Sequence, residues 1–147
     1  MIQSTSSFNI RIYGILKDHN NRVLVSDELI RGNYFTKFPG GGLEIGEGTR
    51  DCLKREFKEE TNLDVTIGDH IYTTDFFQQS AFNENHQIIS IYYFVHTDQI
   101  ASLKTSTIPF NFTENQKAYN QIYNVACGDQ ISLNEIISML NKITGNF

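Results

Sequence analysis

The chain has 147 residues, 39% of them hydrophobic and 12% aromatic, with a formal net charge of −5. That length suits one domain spanning residues 1–147, large enough to bury a substantial core. The acidic balance excludes a general nucleic-acid polymer binder, which would carry a basic face. The absence of an apolar run of about 20 residues argues against a membrane span, and the opening Met1-Ile2-Gln3-Ser4-Thr5 lacks a basic-then-apolar secretory pattern. A cytoplasmic address is the expectation.

The first predicted element is a strand over Phe8–Leu16, where apolar positions alternate. Asp18-His19-Asn20-Asn21 supplies turn residues, and Arg22-Val23-Leu24-Val25 is expected to return as the second arm of a hairpin. A short extended piece over Tyr34–Phe38 leads into Pro39, which disfavours helix at Phe38, and then into Gly40-Gly41-Gly42, where a backbone can bend tightly and approach a ligand closely.

Thr49 is the expected N-cap of a helix with Asp51 in its first turn, facing the positive end of the helix dipole. Glu56, Glu59 and Glu60 fall within an arc of about 100° on that helix. Like charges three and four positions apart repel, so the face calls for a compensating cation. Carboxylate oxygens are hard ligands, which points to Mg²⁺ with Mn²⁺ as a close substitute. The competing reading is an ordinary solvated face, with Lys54 and Lys58 as pairing partners.

Beyond the helix, Asp64–Phe77 reads as one or two strands and Gln87–His96 as another, with Ile89, Ile91, Tyr93 and Val95 on one face. The polar stretch Gln78–Asn85 reads as a loop. Ser132-Leu133-Asn134-Glu135 fits a capping box opening a last helix. Cys52 and Cys127 form no CxxC pair and are read as reduced, structural thiols; the four histidines show no metal-ligand spacing.

The spacing from Gly41 through Glu47, Arg55-Glu56, Glu59-Glu60 and Leu63 resembles the signature of the Nudix hydrolases. Phe57 stands where that signature has an aliphatic residue. Asn62 replaces its terminal glycine and is expected in a left-handed turn, which Asn tolerates best among residues with a side chain.

The resemblance implies an α+β fold, an α-β-α sandwich with a mixed β-sheet between helices. It also implies divalent-metal-dependent hydrolysis of the diphosphate bond in a nucleoside diphosphate linked to another group, by water attack at phosphorus. Carried over by position, Glu56, Glu59 and Glu60 would be metal ligands, joined by the Gly40 carbonyl, while Arg55 and Glu47 would shape the site. Glu44 is open between outer support and solvent.

The general base is open between a motif glutamate and a later acidic residue, Glu84 or Glu114. Aromatic residues suited to stacking a base are Tyr34, Phe35, Phe76, Phe77 and Phe82, with Phe77 and Phe82 ahead because they flank the polar loop. A non-catalytic nucleotide sensor on the same fold is the alternative. Exposed aromatic strands would suit a homodimer.

Overall fold

The computed structural model describes residues 7–20, 22–30, 32–105, 110 and the backbone of 125–126. The elements are β1 (Ser7–Leu16), β2 (Val23–Leu24), β3 (Ser26–Ile30), β4 (Asn33–Lys37), β5 (Gly40–Gly42), α1 (Thr49–Thr61), β6 (Thr66–Thr73), β7 (His86–His96) and β8 (Val125–Ala126). Four strands form one mixed sheet in the order β5-β1-β7-β6. β1 and β7 run parallel along their whole length, from Ser7 opposite His86 to Leu16 opposite Val95, while β5 and β6 pair antiparallel at the edges. The mixed sheet and α1 agree with the expected α+β fold; the predicted last helix from Ser132 lies outside the described residues.

Period-two alternation decides which side chains reach which face. Ile12 and Leu16 point to the same side of β1 as Gly14, where a Cβ would stand 2.5 Å from the Phe57 ring. That gap lets α1 lie close. Cys52, Leu53 and Phe57 of α1 join Ile12, Leu16, Leu63, Tyr93 and Val95 in a buried cluster. The opposite face carries a second cluster of Ile15, Val23, Val25, Phe38 and Tyr92. Farther along that face the residues become polar, with Asn9, Arg11 and Ser90 facing a cavity.

Three expectations are corrected. The hairpin after β1 contracts to one bridge, Lys17 with Val23, because Asp18 closes the turn by accepting the backbone N–H groups of Asn20 (2.8 Å) and Arg22 (2.9 Å). The chain then leaves the sheet, and Val23–Leu24 pair with Val125–Ala126. A strand not expected from the sequence, β3, pairs with β4. Finally, Gly48 and not Thr49 is the N-cap of α1. The Thr49 hydroxyl instead lies 2.9 Å from the Tyr93 hydroxyl, which ties the first turn of the helix to β7.

The helix ends as expected. Asn62 has φ 59° and ψ 18°, and its N–H donates to the Lys58 carbonyl at 3.0 Å. Its left-handed geometry turns the chain so that Leu63 enters the core.

Candidate active site

The site is built where the glycine strand β5, at the edge of the sheet, meets the side of α1. Gly41 is required there by close approach: a Cβ at this position would overlap the Glu56 carboxylate. Gly40 adopts φ +141°, and a Cβ there would run into the Ile12 carbonyl. The glycine run therefore lets a helix carboxylate lie directly against the sheet backbone.

Arg55 organises one half of the acidic face. Its Nε and NH2 donate to the two oxygens of Glu47 at 3.1 and 2.6 Å, a two-point pairing. NH1 donates to Glu56 at 2.8 Å and to Glu59 at 3.4 Å, and NH2 also reaches the Gly42 carbonyl at 3.1 Å. Glu47 further accepts the Glu44 backbone N–H at 2.9 Å. The Arg55 hydrogen bonds, helped by that N–H, hold the Glu47 carboxyl down at about 2. In return, Glu47 and then Glu56 raise the Arg55 guanidinium above its ordinary value, against the opposing effect of burial.

Lys37 organises the other half. Its ammonium donates to the Gly40 carbonyl at 2.8 Å and contacts Glu28 at 2.8 Å and Glu60 at 3.2 Å. Glu60 also accepts the Gly40 N–H at 3.0 Å. Its side chain is 6% exposed. Burial raises the Glu60 carboxyl above its ordinary value, the charge of Lys37 and the Gly40 N–H opposing. Burial works to lower the Lys37 ammonium, but the charges of Glu60 and Glu28 outweigh it and the net direction is upward.

The three helix carboxylates are thus divided between two side-chain cations. Glu56 and Glu59 turn to Arg55, and Glu60 turns to Lys37. Among the described residues no three His, Cys, Asp or Glu side chains converge as a metal-ligating group. The donor chemistry nevertheless fits a hard cation: the Gly40 carbonyl and a Glu60 oxygen already surround one positive charge, the Lys37 ammonium.

Lys37 and Glu28 also line a cavity of about 450 Å³ on the face of the sheet away from α1. Its wall includes Phe35 and Phe82, whose ring centroids lie 5.5 Å apart in an edge-to-face arrangement. Of the aromatic residues named from sequence, Phe35 and Phe82 reach this wall. Tyr34 packs on Phe110 at 4.9 Å, and Phe76 and Phe77 are exposed away from the cavity. Glu84 is exposed outside the wall, and Glu114 lies outside the described residues. Sequence reasoning missed Arg11, Glu28 and Lys37. The signal for Arg11 was its place in an alternating strand, on the side opposite Ile10 and Ile12.

Cys52 is buried with a free thiol, and Sγ donates to the Gly42 carbonyl at 3.4 Å. Burial, with the neighbouring Glu47 carboxylate, pushes that thiol up to about 12. A structural thiol is the result.

A model of the NUDIX domain matches residues 8–118, which include β1, the glycine strand, α1 and β7. The chain belongs to the Nudix family. An 8-oxo-dGTP diphosphatase of Proteus vulgaris is 36% identical over 55 residues, covering 36% of this chain and 49% of that protein. The match therefore spans about half the length of this curated relative. The E. coli ORF135 protein shares the fold with a TM-score of 0.53 at 18% identity, over 65% of each chain. The MutT protein from Methanosarcina mazei Go1 does so with a TM-score of 0.52 at 20% identity, over 62% of this chain and 70% of that one. Both are likenesses of fold, the second to a MutT protein. Among the described residues no helix is long and apolar enough to cross a membrane.

Proposed function

We propose that this Nudix protein hydrolyses the diphosphate bond of a nucleoside diphosphate derivative, by water attack at phosphorus with a divalent ion, Mg²⁺ or Mn²⁺. The observation that carries the proposal is the convergence of the Gly40–Gly42 backbone with Glu56 and Glu60 beside a nucleotide-sized cavity. Glu56, Glu60 and the Gly40 carbonyl would hold the ion, with Glu59 at the exposed rim of the same face. When bound, the ion supplies positive charge to the phosphate oxygens as the bond breaks.

The remaining work falls to the chain itself. Arg55 fixes Glu56 and Glu47 through a rigid fork, so the carboxylate nearest the glycine backbone keeps one orientation. The edge-to-face pair Phe35 and Phe82 offers an aromatic surface to a base. Glu84 stands off the cavity wall, so of the described candidates named from sequence a motif glutamate is assigned the proton of the attacking water. The likeness to an 8-oxo-dGTP diphosphatase supports trying purine nucleoside triphosphates first, ahead of nucleotide sugars and dinucleotides.

The test is a hydrolysis screen of these classes with Mg²⁺ and with Mn²⁺, read by product mass. Glu60→Gln is expected to lower turnover at least about a hundredfold while the variant keeps its fold. Tight nucleotide binding with no product in any class would instead make the chain a sensor.

A further inference from the structure

Two cations stand on the cavity wall, and they differ in what already satisfies them. The Lys37 ammonium is engaged by three oxygens, those of Gly40, Glu28 and Glu60. The Arg11 guanidinium has no carboxylate in contact among the described residues. Its one hydrogen bond runs from Nε to the Tyr13 hydroxyl at 3.3 Å, and its carbon lies 5.9 Å from the Tyr13 ring centroid.

A guanidinium offers five N–H donors in a planar fork, so at Arg11 most of that capacity is unused. Its position is fixed by the sheet: Arg11 sits opposite Gly42 on one side and Ser90 on the other. A Cβ at Gly42 would lie 3.7 Å from Arg11 NH1, while one at the neighbouring Gly41 would meet Glu56, so the guanidinium and that carboxylate flank adjacent residues of β5 from its two faces. The fork therefore lies on the cavity side of β5, on the same wall as Phe35 and Phe82, with the acidic helix face on the other side of that strand. Burial opposes its charge, but Tyr13 and then Glu56 and Glu28 outweigh that and the net direction is upward.

We propose that Arg11 is a phosphate-binding residue of this site, taking the non-bridging oxygens of the substrate diphosphate in a two-point grip and setting its position relative to the helix carboxylates. The assignment rests on the diphosphate-hydrolase reading above. Arg–phosphate pairs favour this geometry because two parallel N–H donors match two phosphate oxygens. Lysine can supply the charge but not the fork.

The experiment measures binding of the α,β-methylene analogues of ADP and dGDP by calorimetry, with Mn²⁺ present, to the wild-type chain, Arg11→Met and Arg11→Lys. Loss of charge-assisted hydrogen bonds predicts affinity lower by about tenfold or more in Arg11→Met. Arg11→Lys should recover part of the loss. With a hydrolysed substrate, KM should rise by a similar factor in Arg11→Met with kcat changed much less, and ligand-free melting temperature should stay near that of the wild type.

Unchanged analogue affinity in both variants overturns the assignment and leaves the hydrolase reading standing. Failure of the wild type to bind either analogue also overturns it. If Arg11→Met fails to fold, Arg11→Lys decides alone, since equal affinity there removes the two-point grip. Normal binding that depends on Arg11, with no hydrolysis of any substrate, upholds the assignment and overturns the enzyme instead.

Discussion

Replacing Lys37 by Met keeps the length of the side chain and removes the positive charge shared by Glu28, Glu60 and the Gly40 carbonyl. Breaking a buried ion pair costs about 3 to 5 kcal/mol, whereas an exposed pair contributes at most about 1 kcal/mol. Here the side chains of Lys37, Glu28 and Glu60 are 15%, 15% and 6% exposed, between those limits but nearer the buried one. A loss of about 2 to 3 kcal/mol follows after allowance for solvent screening. At this chain length that corresponds to a melting temperature lower by about 4 to 12 °C. The assay is thermal unfolding in chelator-treated buffer, repeated over a Mn²⁺ titration. Because the variant leaves Glu60, held by the Gly40 N–H, and the Gly40 carbonyl without the cation they shared, Mn²⁺ should raise its melting temperature more than that of the wild type. A variant melting within about 2 °C of the wild type without metal would show that the ammonium is not the counter-charge of Glu60.

Other outcomes follow from the same geometry. The Glu47 carboxyl, held at about 2 against an ordinary 4.5, contributes stability that is present above pH 4.5 and lost as pH falls toward 2. Glu47→Gln should therefore flatten the acid limb of a stability–pH profile in that window, and equal slopes for both proteins would contradict the Arg55 pairing. Asn62→Gly should change stability by less than about 1 kcal/mol, while Asn62→Val should lose about 1 to 2 kcal/mol, because a branched side chain opposes the left-handed turn; denaturant midpoints measure both. In a Cys127→Ser background, Cys52 should resist a thiol-specific disulfide reagent at pH 8 until the chain is unfolded, as expected for a buried thiol pushed up to about 12. Rapid labelling of the native protein would refute its burial.

The parts of the fold that were legible share a cause: their apolar residues repeat at the element's own period. β1, α1 and β7 each bury apolar side chains at regular spacing, and each was expected within one or two residues of its place. β3 was not, because it opens on two buried polar residues, Ser26 and Asp27, and the partners of Asp27 lie elsewhere in the chain. Asp27 accepts the Thr36 hydroxyl at 2.6 Å and the Phe110 N–H at 2.9 Å. No periodicity reveals such a strand. The same holds for the Gly48 cap, which is set by the contact of Thr49 with Tyr93, a residue far along the sequence.

The acidic face was legible as charge but not as partnership. Like charges on one helix side imply a counter-cation, yet nothing in that local pattern says whether it is an ion or a side chain. Arg55 lies on the helix and could be assigned. Lys37 could not, because it reaches Glu60 across the fold and is held from behind by Glu28, which the antiparallel pairing of β3 with β4 brings diagonally opposite. That arrangement bears on how an ion would enter. Arg55 binds Glu56 and shares Glu47 and Gly42 as well, so it can release one contact and keep the rest. Lys37 holds the Gly40 carbonyl and Glu60 together, the same two oxygens a hard cation would use. An ion binding there must displace the ammonium toward Glu28, and the pair on β3 and β4 is already in place to receive it.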